Sequence, residues 1–276
     1  MKALLKAEMV KLFKQSKTYY AVIAVFIIEL IILITAYYQG ATILELLLDN
    51  LRQSFYFEGN LLNGNLILYI VLNSLWFNIP LILMIITSAL VTEEYKDGTL
   101  QTVMLQAVKK WKFMLAKYIA AILFTIAVIA FMALSTFIMA YGIFGNGDLV
   151  VYLDTLNFFE PQDAVNRICM AFASGTIAMI FYAVVSVTLA IFIKEPAKTW
   201  IASALFLILT NLLLKANFGS DALNSFFFPK LVDTWQYFFY YEIGWQSILI
   251  NNILLLLYTA LFAWIGIFTF QKRDIG

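Results

Sequence analysis

The sequence predicts an all-α polytopic membrane protein with six transmembrane helices, and three observations carry that reading. Apolar residues make up 63% of the 276 residues and charged ones 13%, more apolar surface than a soluble core of this size can bury. Six apolar runs qualify against the length, about 20 residues, that a helix needs to satisfy its own backbone across a bilayer core, the fifth of them being short. Lysine and arginine are concentrated on alternate connections between those runs, the pattern of a chain threaded back and forth through a membrane.

The first 17 residues carry Lys2, Lys6, Lys11, Lys14 and Lys17, with Leu5, Met9, Leu12, Phe13 and Ser16 on one helical face. They are expected to form an amphipathic helix on the membrane surface, held by anionic headgroups or by a partner protein. The apolar run that follows has no convincing small-residue cleavage site and reads as a retained span. Residues 18–276 form one six-span domain, with spans near 19–38, 66–91, 113–144, 168–193, 199–214 and 248–270. Tyr19, Tyr37, Tyr38, Trp111, Trp200 and Trp245 stand near their ends, where amphipathic rings meet headgroups. No internal repeat is evident, because the connections on the basic side differ too much in length and composition.

Placing the N-terminus inside puts 14 of the 18 basic residues on the cytoplasmic side and leaves Arg52, Arg167, Lys215 and Lys230 outside. Both termini are therefore expected in the cytoplasm. The outer connection 40–65 contains Ile43, Leu44, Leu47, Leu48 and Leu51, spaced for either an amphipathic interfacial helix or a loop packed on the bundle. The outer connection 217–247 holds Phe226, Phe227, Phe228, Pro229, Trp235, Phe238 and Phe239. It is too aromatic for a wet loop and is expected to dip into the membrane, with Phe226, Phe227 and Phe228 as a candidate outer gate.

Composition also narrows the chemistry. A formal charge of +1 does not suit a nucleic-acid binder, and Cys169 alone makes no intramolecular disulfide. Without histidine the chain lacks the commonest general base and metal ligand, so no catalytic residues and no metal site are expected. No G-x-x-x-x-G-K-[ST] phosphate loop occurs, so any ATP is hydrolysed on another chain. Glu29 lies about 15 Å into the first span, where a carboxylate faces the bundle or an aqueous cavity. It either contacts substrate or protons, or it is a structural group bonded to Asn73 or Asn78 of the second span. Pro80 in that span marks either a hinge or ordinary packing.

The segment 93–112 between the second and third spans is the most informative. Leu100, Val103, Met104 and Ala107 recur at helical spacing, Thr99 is a reasonable N-cap, and Gly98 supplies a break between two helices. Glu94 is placed to hold the turn through backbone amides or a nearby basic group.

Glu94, Gly98, Thr99 and Leu100 resemble the E-x-x-x-G-T-L stretch of type-2 ABC permeases. Lys109, Lys110 and Lys117 fit the basic cluster and the lysine that opens the next span, and Ala107 stands where that family often has proline. The order of elements along the chain is similar too: a lysine-rich N-terminal helix, six spans, an aromatic outer hairpin and a short tail with Arg273, Asp274 and Ile275. The resemblance implies a non-catalytic half-transporter of a bacterial plasma membrane, paired with a second copy or a related permease. Beneath it, separate ATPase subunits would carry the ATP and magnesium, meeting a coupling element at Glu94, Gly98, Thr99, Leu100, Val103, Met104 and Ala107. The expected cargo is an amphipathic or hydrophobic small molecule or peptide. Two other classes stay open: a force-transmitting or immunity subunit without a through-pathway, and an ion-driven transporter using Glu29.

Overall fold

The computed structural model describes residues 1–52, 61–105, 108–153, 155–214, 219 and 225–273, with side chains apart from those of 43 and 46–52. Helix α1 (Lys2–Lys14) leads into α2 (Ser16–Arg52), then α3 (Gly64–Lys96), the short α4 (Thr99–Met104) and α5 (Lys110–Phe144). After strands β1 (Leu149–Leu153) and β2 (Thr155–Phe159) come α6 (Pro161–Ile193) and α7 (Pro196–Leu214). A single turn, α8 (Phe228–Leu231), a 3-10 helix (Thr234–Phe239) and α9 (Trp245–Lys272) complete the order.

Six of these helices, α2, α3, α5, α6, α7 and α9, are long and apolar enough to cross a membrane. The chain is thus a helical multi-pass membrane protein. Each span overlaps the apolar run expected for it, and most extend beyond that run by a turn or more.

Two elements differ from expectation. The all-α membrane architecture carries one short unforeseen addition: Leu149–Leu153 and Thr155–Phe159 pair as an antiparallel hairpin, Leu149 opposite Phe159 and Val151 opposite Asn157. Those four side chains are buried, so the alternation that turns one face inward spans only five residues per strand. In addition, α2 does not stop at the end of the first apolar run but continues to Arg52. Its 37 residues measure about 55 Å at 1.5 Å per residue, against a hydrocarbon layer of about 30 Å. The leucines of the connection after the first apolar run, up to Leu51, therefore continue this rod; of their side chains, only that of Leu44 is described.

Helix α6 is the centre of the bundle, packing against α3, α5, α7, α9 and the 3-10 helix. Small residues let the helices approach closely, as lipid supplies no hydrophobic drive between apolar helices. A Cβ on Gly175 of α6 would lie 1.8 Å from the Trp76 ring of α3, so only glycine admits that indole. Hydroxyls pin the same contacts: Ser186 donates to the Met84 carbonyl, and Thr188 donates to the Phe262 carbonyl at 3.1 Å. Each such bond contributes about 0.6 kcal/mol in a membrane. Pro80 is buried within an uninterrupted α3.

At the end of the bundle away from α1, Asn63 caps α3 by accepting from Leu66 N at 3.2 Å. Its amide, with that of Asn65, donates to the carbonyls of Asp148 and Gly147 at 2.7 and 2.6 Å, stitching α3 to the start of the β-hairpin. At the lysine-rich end, Arg273 donates to the Ile191 carbonyl, and Lys110 donates to the Arg273 carbonyl at 2.6 Å.

Candidate functional site

The segment after α3 forms the break read from the sequence. Gly98 has φ 67°, ψ 4°, and a Cβ there would meet nothing within 4 Å. The demand for glycine is therefore conformational, not steric. Gly98 itself, not Thr99, occupies the N-cap, and Thr99 is the first helical residue.

The apolar face of α4 is turned toward the chain's own bundle. Leu100 is 4% exposed, and Val103 and Met104 are part-buried against the core. This corrects the expectation that these residues offer a free docking face; Ala107 lies outside the described residues. The outward side presents Thr102 and Leu105, the latter 88% exposed.

Beside that break lies a buried ionic cluster joining three helices. Lys117 of α5 places Nζ 2.9 Å from Glu94 Oε2 of α3 and 2.9 Å from Glu8 Oε2 of α1. It also donates to the Leu90 carbonyl at 2.7 Å and lies 4.6 Å from the Phe113 ring centroid. Its ammonium thus has two carboxylates, a carbonyl and an aromatic face in place of water, the satisfied arrangement that a buried charge requires. Lys11 adds a second ammonium to Glu94, and Gln15 donates to Glu93 at 2.6 Å with Lys17 alongside. Burial lowers the Lys11 pKa, but the bond to Glu94 and the charges of Glu94, Glu8 and Glu93 outweigh it and leave it raised.

Helix α1 is thereby clamped onto the ends of α3 and α5 through Glu8 and Leu12, both buried, whereas Phe13 is exposed. Phe13, expected on the apolar face, thus stands outside it, and Glu8, for which no role is expected, stands inside. A signal for Glu8 was available: it is the one acid among the five lysines of the first 17 residues, four positions before Leu12 and so on the same helical face.

The candidate intramembrane polar residues do not meet. Glu29 is fully buried and accepts from Ser135 Oγ at 2.7 Å, which ties α2 to α5. Asn73 and Asn78 lie on an exposed face of α3, each donating back to the carbonyl four residues earlier, Tyr69 at 2.9 Å and Ser74 at 3.0 Å. The expected partnership of Glu29 with Asn73 or Asn78 is corrected to one with Ser135, because α5, not that face of α3, lies against Glu29.

Phe227 lies against Phe228 with ring centroids 5.9 Å apart, whereas Phe226 is placed apart from them at the surface. Phe228 stacks on Phe206 with centroids 5.8 Å apart and planes 7° from parallel, and packs 5.7 Å from Phe181. The Phe226 side chain is exposed, and its carbonyl accepts from Tyr258 at 2.8 Å. The aromatic weight of this connection is instead in Trp235, Phe238 and Phe239, all buried. Arg167 of α6 holds them down, donating to the carbonyls of Phe238 and Tyr240 at 2.8 Å and Tyr241 at 3.3 Å. Asp163 at 2.7 Å and the Phe159 ring at 4.2 Å complete the surroundings of Arg167. Lys215 lies outside the described residues.

Fold and site together define a six-span helical membrane protein with a clamped helix-break-helix at its lysine-rich end and an aromatic cap at the other. The chain belongs to the DUF2705 family, described as a protein of unknown function, whose model matches residues 50–276. No curated protein matches the chain.

Proposed function

We propose that this chain is the membrane-spanning permease subunit of an ATP-driven exporter, working with a separate ATPase that carries the ATP and magnesium and with a second permease, identical or related. The observation that carries the reading is the junction of α3 and α4 at Gly98, gripped through Glu94 and Lys117 by α1. A force applied to α4 reaches two spans through a closed ionic cluster instead of dissipating in a loose loop. In this reading the lysine-rich end is cytoplasmic, Thr102 and Leu105 face the ATPase, and Leu100, Val103 and Met104 carry the push inward. Glu94, Gly98 and Thr99 shape the lever.

A second reading, ion-driven transport, draws on Glu29, whose Oε1 is buried without a partner among the described residues. Affinity purification of the chain from its native membrane separates the two. Stoichiometric recovery of an ATP-binding subunit, with ATP hydrolysis lowered by Gly98→Val, is the expected result. Transport that follows an imposed proton or sodium gradient in the purified chain alone would replace the ATP-driven reading with the ion-driven one.

A further inference from the structure

At the end of the bundle away from α1, a cavity of about 180 Å³ opens between α3, α6, α7 and the connection leading into α9. Trp76 and Trp235 line it with ring centroids 5.4 Å apart, and Tyr182 adds a third aromatic wall. Asp233 also lines it, and among the described residues this carboxyl forms no ion pair. The amides of Asn73 and Asn211 stand at its exposed side beside Leu214.

An acid with no ion pair among the described residues, set among aromatic rings, is a specific chemical arrangement. The negative faces of indole and phenol rings attract a cation and repel an anion, and the carboxylate adds a full charge of the same preference. The volume is below the roughly 300 Å³ of a drug-sized pocket, so it accommodates a head group while an apolar body remains outside along α7. We propose that this cavity binds the substituted-ammonium head of an amphiphile, seated against Trp76, Trp235 and Asp233.

Burial pushes the Asp233 carboxyl up to about 7, against a smaller lowering by Trp235. Among the described residues, the other titratable groups facing it are the phenols of Tyr69 on α3, Tyr182 on α6 and Tyr237 on the 3-10 helix. The cation and a proton therefore compete for one carboxylate, and affinity falls as pH drops through 7. Binding stands on this geometry alone; that the cation is cargo rests on the permease reading.

The test uses the full chain in maltoside micelles, which carry no ammonium. The probes are benzyltrimethylammonium and its neutral carbon isostere, 2,2-dimethylpropylbenzene, titrated by indole fluorescence and calorimetry. At pH 8 the cation binds about tenfold more tightly than the isostere, and the preference shrinks at pH 6. Asp233→Asn removes both the preference and its pH dependence, while Trp76→Phe weakens the cation and keeps the pH dependence. Equal affinity for the two probes, a cation bound undiminished by Asp233→Asn, or no saturable binding overturns the site. Competition by phosphatidylcholine identifies a lipid headgroup as the source of the ammonium, and its failure identifies a free amphiphile; both keep the site. Saturable binding without ATP-dependent movement of the labelled cation leaves the site standing and removes only its role in transport.

Discussion

Glu94 and Lys117 meet at 2.9 Å with side chains 5% and 1% exposed, an ion pair between the end of the second span and the start of the third. Together with Glu8 it ties three helices at one point, where removal of a single member leaves charge stranded.

Lys117→Met leaves Glu8 and Glu94 buried without their shared cation. Removing one partner from a buried pair costs about 3–5 kcal/mol, so the variant should lose most of its resistance to denaturing detergent. Adding Glu8→Gln should restore part of the loss. A double variant no more stable than Lys117→Met would show that Glu8 is not coupled to Lys117.

At Gly98 the constraint is the backbone angle alone, since a side chain there meets no neighbour. Gly98→Val should therefore destabilise the α3–α4 junction by about 1–2 kcal/mol, and Gly98→Asn by much less. Hydrogen exchange across residues 94–104 reads the difference. Equal exchange in both variants would mean that the left-handed conformation is not what fixes the lever.

How much of this was legible in the sequence depends on the range of the interaction. The six spans and the glycine break follow from local composition and from one residue's conformational freedom, and both are visible in a short window. Asn73 and Asn78 were misassigned as partners of Glu29 because depth along a helix can be counted while rotation about it cannot. Ser135, the actual partner, is 106 residues from Glu29 and belongs to another span. Leu100, Val103 and Met104 were identifiable as one apolar face, but periodicity does not say whether a helix buries that face against itself or against another protein. The β-hairpin was missed because five-residue strands offer too little alternation to stand out among apolar runs.

Arg167→Met should free the aromatic connection that precedes α9. Three carbonyls lose a charged donor, and with them about 2–3 kcal/mol of local stability. Limited proteolysis near Tyr240 and Tyr241 should accelerate while the spans remain intact. Arg167→Lys should rescue little, because one ammonium cannot reproduce the planar fork that reaches three carbonyls. Unchanged cleavage in both variants would remove Arg167 as the clamp.

The raised carboxyl of Asp233 predicts a pH dependence with a definite sign. The unfolded group titrates near 4 and the folded one at about 7, so the folded form holds more protons between those values. Its contribution to stability is full below about pH 4 and is lost as pH rises through 7. Local exchange around the 3-10 helix should be slowest in acid and quicken toward pH 7, and Asp233→Asn should flatten that profile. A parent profile that rises with pH no more than the variant's would contradict the assignment.

Orientation can be read with an impermeant thiol reagent after Cys169 is replaced. Single cysteines at Lys14 and Gln271 should be protected in intact cells, and one at Tyr152 on the exposed face of the β-hairpin should react. Labelling at Lys14 without lysis would turn the molecule over.

The contact between Glu8 and Lys117 spans 109 residues, and that distance sets an order of events during synthesis. Translation at about 5–20 residues per second places roughly 5–20 seconds between the two side chains. Throughout that interval helix α1 lacks the Lys117 contact that seats it. It docks only when the third span has entered the bilayer and brought Lys117 to meet it. Helix α1 thus reports on the insertion of the third span, so a nascent protein whose third span fails to insert carries an undocked basic helix, open to proteolysis before synthesis ends.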